Sequence, residues 1–144
     1  MKTKYWIAVI SKDHISKGVQ GGFIQVCHGK KAPLKRMKAK DQIIVYSPKM
    51  TMNGETKCQA FTAIGEVIDD NLYSFSMSTD FVPFRRNIHY YPCEEVSIIP
   101  LISQLDFIQN KKSWGYPFRF GLLEIMEKDF KFIASKMTIH ENNR

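Results

Sequence analysis

The sequence predicts an α+β fold built on a curled or closed β-sheet. Three observations carry this. Short runs rich in β-branched and aromatic residues recur along the chain. Short helical segments interrupt them, often marked by glycine or proline. Long helices alternating with strands, as parallel βαβ units need, are missing.

The first strand is Tyr5–Ile10, aromatic and β-branched and ended by Ser11. Ser11 suits the N-cap of a short helix through Lys17 that stops at Gly18. Gly21-Gly22 opens an extended segment, Phe23–Cys27, which closes at His28-Gly29-Lys30. Pro33 fits the first position of a short basic helix reaching about Ala39, with Leu34 and Met37 on one face and Lys31, Lys35 and Lys38 on the other. Asp41–Ser47 reads as a core strand ended by Pro48, and Asn53-Gly54 marks a turn in the polar stretch that follows. Gln59–Asp69 alternates Phe61, Ala63, Gly65 and Val67 against Thr62, Ile64, Glu66 and Ile68. Further strands are expected at Leu72–Met77, Phe84–Tyr91, Val96–Ile99 and Leu122–Ile125, with a helical turn at Leu101–Phe107. A final helix starts near Lys128, with Phe130, Ile133, Ala134 and Met137 at helical spacing.

A chain of 144 residues is one domain long, so residues 1–144 are expected to share one core. The 44% hydrophobic and 24% charged fractions exclude a disordered or fibrous protein. No apolar run reaches the ~18 residues of a membrane span. Cys27, Cys58 and Cys93 are odd in number and far apart, which speaks against a disulfide framework or zinc ribbon. The expectation is a cytoplasmic monomer with no metal and no cofactor. Charge is more informative. Residues 1–50 carry eleven Lys/Arg against two acids, +9, whereas residues 51–144 carry ten against twelve, −2. Positive potential concentrated on one part of the surface favours a polyanionic partner, though a solvated basic face would look the same.

Catalytic signatures are few. The chain has no glycine-rich phosphate loop, H-E-x-x-H, G-x-S-x-G or paired-carboxylate motif. His14 falls in the first helix, His89 in a strand and His140 in the polar tail. Only His28 sits at a glycine-flanked strand end, and strand neighbours point to opposite faces, so Cys27 and His28 do not make a nucleophile pair. The segment Trp114–Phe120 packs four aromatics into seven residues around Gly115 and Pro117. Together with Arg85, Arg86 and Arg119 it resembles a stacking-plus-cation surface for unpaired bases. If Arg85-Arg86 lies in a strand, the two arginines point to opposite sides and one is exposed.

At this point the chain resembles the EVE domain family. The residues that carry the likeness are Tyr5-Trp6-Ile7, Gly21–Lys30, Tyr46-Ser47-Pro48, Phe61–Gly65, Pro83-Phe84-Arg85-Arg86 and Trp114-Gly115, in order and across nearly the whole chain. One departure is Lys40-Asp41, where such domains often place Gly-Asp. The resemblance implies a PUA-like fold: a small mixed, strongly bent β-barrel with short flanking helices. The YTH and ASCH domains are its structural relatives, several of which hold a base, often modified, in an aromatic pocket. By similarity of order, one pocket wall maps to Phe23–Lys30, including Gln25, His28, Gly29 and Lys30, and another to Phe81–Arg85, including Phe81, Phe84 and Arg85. Trp6, Ser11, Ser47, Trp114, Phe118 and Arg119 are placed by motif position. The methyl-adenine cage tryptophans of YTH domains have no tryptophan counterpart in the two mapped segments.

The reading is a module that holds an unpaired or flipped, modified base of RNA or DNA, with Lys31, Lys35, Arg36 and Lys38 on the phosphate backbone. Free nucleotide is a further possible ligand. Two rivals stay open. One is an enzyme acting on a nucleotide or small anionic metabolite, with His28 as acid–base and Lys30 or Arg85 as anion clamp. The other is an interaction module of a restriction or toxin–antitoxin system.

Overall fold

A computed structural model describes residues 2–138, so His140 lies outside the described residues. Eight strands form one mixed sheet: β1 (Tyr5–Val9), β2 (Phe23–Ile24), β3 (Gln42–Lys49), β4 (Lys57–Val67), β5 (Tyr73–Ser74), β6 (Phe84–Tyr90), β7 (Val96–Ser97) and β8 (Leu122–Ile125). The order is β2-β6-β4-β3-β1-β8, with β5 added to β6 and β7 to β4. Among the described residues only β1 and β3 run parallel, and every other strand pair is antiparallel. The sheet curls into a half-barrel whose end strands, β2 and β8, do not pair.

Alternation sorts the side chains of the central strands onto two cores. Trp6, Ala8, Ile43, Val45, Ala63 and Val67 face one cluster, closed by Ile15, Ile24, Leu34 and Met37. Ile7, Ile44, Tyr46 and Phe61 face the other, closed by Leu101, Leu105, Phe118, Phe130, Ile133 and Met137. A sheet buried on both sides reads as near-continuous apolar runs. That is why Tyr5–Ile10 and the stretch after Asp41 stand out in the sequence.

The helices are α1 (Lys12–Gly21), α2 (Lys31–Leu34) and α3 (Glu127–Met137), with short 3₁₀ turns at Ile99–Gln104 and Tyr116–Phe120. Several boundaries differ from expectation for identifiable reasons. Gly18 does not end α1. It lies inside the helix, where the Phe23 carbonyl approaches so closely that a Cβ would lie 2.7 Å from its oxygen. Gly22 is the left-handed cap instead, and its N–H bonds the Gly18 carbonyl. Phe23–Cys27 is not extended throughout, because Cys27, His28 and Gly29 take φ of 50°, 60° and 80°, a left-handed turn. Pro48 does not stop β3, which runs on to Lys49 with shifted register. Leu72–Met77 contributes only Tyr73–Ser74.

Arg85 and Arg86 are both buried, which corrects the expectation that one is exposed. Arg86 Nη1 donates to the Leu34 and Met37 carbonyls, both at 2.8 Å, and Nη2 to the Asp69 carbonyl at 2.7 Å, so it staples α2 and the turn after β4 onto β6. The Arg85 guanidinium lies between the rings of Phe23 and Phe75, 3.7 and 4.0 Å from their centroids. On α2 and the turn after it, Leu34 and Met37 dock into the core as expected, while Lys31, Lys35 and Lys38 face solvent.

Candidate functional site

A groove of about 550 Å³ opens where the sheet fails to close. Its walls are the end of β1, the inner face of α1, the segment Phe23–Gly29, and the segment Phe118–Gly121 that enters β8. Lys49, Met52 and Phe81 complete the rim. The floor includes Phe118, whose ring stacks on Tyr46 with centroids 4.2 Å apart. Phe81 and Phe120 line the groove yet stay 40% and 61% exposed, so their rings form an open aromatic mouth. No carboxylate lines it among the described residues; its charged and titratable side chains are His14, His28, Lys49, Arg119 and the Cys27 thiol.

The left-handed turn at Cys27–Gly29 shapes one wall. A Cβ at Gly29 would overlap the Pro83 ring, and one at Gly121 would overlap Cys27 Sγ, so glycine is needed at both positions for the walls to meet. Left-handed backbone at two consecutive non-glycine residues stores strain of the kind found at ligand sites. Burial pushes the Cys27 thiol up, away from the thiolate form a nucleophile needs.

Polar groups have fixed roles. The Ser11 hydroxyl donates to Asp13 at 2.6 Å, which holds that carboxyl below its usual range and leaves Ser11 Oγ as an acceptor for the groove. Gln25 Oε1 accepts from Arg85 Nε at 2.6 Å, so the free end of its amide is the donating NH₂. Acceptor and donor thus stand on one apolar-walled groove, a pattern suited to reading the edge of a flat heterocycle.

The groove gathers Ser11, Gln25, His28, Gly29, Phe81, Phe118 and Arg119 from the expected set. The others lie elsewhere. Trp6 is 1% exposed, with its indole N–H on Asp41 Oδ2 at 2.9 Å, so it is a core residue. Ser47 is fully buried against Thr62. Phe84 packs on the first core with Lys31 Nζ 5.4 Å from its centroid. Arg85 acts on Gln25 rather than lining the space, Lys30 lies beyond the turn, and Trp114 lines a separate, adjoining depression. Arg36 rests over the Trp6 ring at 5.0 Å and donates to the Leu122 carbonyl at 3.3 Å, so it is less available to phosphate than its neighbours. Reasoning from sequence does not single out His14 or Met52, and it includes Phe23 and Phe120 only as parts of the segments Phe23–Lys30 and Trp114–Phe120. His14 lies one turn from Ser11 on the same helix face, and Phe120 follows Phe118 within the aromatic segment; these spacings were signals. Met52 sits in a loop and had none.

The EVE domain model matches residues 4–136. This chain belongs to the EVE domain family. Its relatives include a UPF0310 protein of Bacillus licheniformis, 52% identical over 127 residues that cover 88% of this chain and 86% of that one. The UPF0310 protein YdcG of Bacillus subtilis is 45% identical, covering 97% and 96%. Among solved structures, this EVE domain is similar to Rpa0253 of Rhodopseudomonas palustris, with TM-score 0.58, 13% identity, and 99% and 100% coverage. It is also similar to the MmI1 YTH domain, with TM-score 0.54, 13% identity, and 92% and 93% coverage. At such identities the likeness shows the fold alone.

Proposed function

We propose that this protein is a nucleic-acid-binding module whose groove holds an unpaired, modified nucleobase. The observation that carries the reading is the groove itself: aromatic rings at Phe81, Phe118 and Phe120, an acceptor at Ser11, a donor at Gln25, and no lining carboxylate among the described residues. Stacking plus edge recognition is how proteins grip splayed-out bases. The basic first third of the chain would supply the phosphate attraction. The resemblance to base-holding relatives points the same way. A groove without a carboxylate gives His28 no acid to orient it, which favours binding over acid–base chemistry.

The test is fluorescence anisotropy with short single-stranded DNA and RNA oligonucleotides carrying plain or methylated bases. Phe81→Ala, at an exposed ring, should weaken the best binder roughly ten- to a hundred-fold, since stacking contributes ~1–3 kcal/mol per base. The dependence on salt should stay unchanged, because stacking neutralises no phosphate. Equal affinity in the variant would remove the groove from the binding surface.

A further inference from the structure

Beside the groove lies a second depression of about 400 Å³, walled by Trp114, Gln59, Lys112 and Tyr46. The two share Val9, Pro48, Phe118 and Arg119, so they are neighbouring compartments separated by one ridge. Resting on the base-groove reading above, we propose that the two compartments form one site for two successive nucleotides. The first base occupies the groove, the second stacks on Trp114, and the phosphate between them meets Arg119.

Four observations support this. Trp114 is half-buried: one side packs on the second core, and the ring also lines the depression, as a stacking platform must. Arg119 is exposed and belongs to both compartments, which puts a bidentate phosphate donor at the boundary. No carboxylate lines either compartment among the described residues, while Lys49, Lys112 and Arg119 do, so the continuous surface suits a polyanion. Gln59 has φ of 50° beside the register shift between β3 and β4, and its side chain lines the second compartment. Bulges re-aim side chains beside sites, and non-glycine residues are held left-handed where the surroundings over-determine them. Each compartment is therefore flanked by a strained backbone position that offers it a polar side chain, His28 in one and Gln59 in the other.

The occupant is one strand of nucleic acid rather than a free nucleotide, and length dependence tests it. Binding would be measured by calorimetry for nucleoside 5′-monophosphates and for the matching dinucleotides, each with plain or methylated bases. The native chain should bind its preferred dinucleotide at least about ten-fold more tightly than the mononucleotide, given the usual strength of base–aromatic stacking. Trp114→Ala should abolish that gain and leave mononucleotide affinity unchanged, and Trp114→Phe should keep part of it. Arg119→Gln, at an exposed position that needs no refolding, should also reduce the dinucleotide gain. A native chain that binds both lengths equally, or a Trp114→Ala protein that loses mononucleotide and dinucleotide affinity alike, would overturn the two-nucleotide site. Phe81→Ala separates the two ideas: if it spares mononucleotide binding while the length gain persists, the base-groove reading fails instead. Absence of binding to every probe would overturn both.

Discussion

Asp41 organises the first core from a single buried carboxylate. Oδ2 accepts the Trp6 indole N–H and the Lys38 amide, both at 2.9 Å, and Oδ1 accepts the Lys4 amide at 3.1 Å. Burying a carboxylate is tolerable only when hydrogen bonds replace its water. Trp6→Phe removes one of them and some ring volume. It should cost about 1–3 kcal/mol in denaturant unfolding, while ligand affinity of the folded variant changes less than about two-fold. A large affinity loss would return Trp6 to the site. Its neighbour Lys40 has φ of 76°, a left-handed position that favours glycine. Left-handed backbone costs a side-chain-bearing residue roughly 1–2 kcal/mol, partly offset because glycine loses more entropy on folding. Lys40→Gly should therefore raise stability by up to about 1 kcal/mol, read as a higher unfolding midpoint. A lower midpoint would mean that the Lys40 side chain supports the fold in some other way.

At the scale of elements, the basic stretch around α2 is an amphipathic unit. Leu34 and Met37 are buried, while Lys31, Lys35 and Lys38 are exposed. Changing these three lysines together to Gln should flatten the slope of log affinity against log salt by on the order of 1–2 units, at about 0.7 per phosphate contact for single strands. An unaltered slope in a folded variant would take the patch out of the interface. Arg36 was grouped with these lysines in the sequence, yet the structure engages it with Trp6 and the Leu122 carbonyl. The same contrast recurs elsewhere. Strands β1, β3 and β8 are legible as short apolar runs, β4 by its alternation and helix α3 by its helical spacing. The left-handed turn is not, since the close contacts that accompany it, Gly29 against Pro83 and Gly121 against Cys27 Sγ, join residues far apart in the sequence. Gly18 looked like a helix stop because a glycine that ends a helix and one that lets a neighbouring carbonyl approach are identical in sequence. For the site, the chain segments were legible, but their sorting into core, groove and second compartment depended on burial, as Trp6, Ser47 and Trp114 show.

Across the whole molecule, the two-sided core makes stability sensitive to alkali. Burial pushes the Tyr46 phenol up to about 12 and raises that of Tyr90, which donates to the Phe23 carbonyl at 3.0 Å. In the unfolded chain tyrosines ionise near pH 10, so above that value the unfolded state loses protons the folded state keeps. The contribution is intact below pH ~10 and disappears as pH rises through the folded value. Tyr46 alone accounts for about 2–3 kcal/mol across that window, at roughly 1.4 kcal/mol per pH unit. Unfolding free energy should therefore fall steeply from about pH 10 to 12, and Tyr46→Phe should make the fall shallower. A variant whose alkaline limb matches that of the native chain would show that Tyr46 ionises freely in the fold.

The place of β1, one strand in from the β8 edge of the sheet, has a consequence for how the chain is made. Its neighbours are β3 on one side and β8 on the other, so the sheet's first strand in chain order is completed by its last. Until residues 122–125 leave the ribosome, one edge of β1 has unpaired amides and carbonyls beside Ile7 and Ala8, both fully buried in the finished sheet. The groove is delayed in the same way, because residues 118–121 form one of its walls. A truncated translation product is thus adhesive along that edge and has no site, whereas ligand capture certifies that synthesis has reached the end of the sheet.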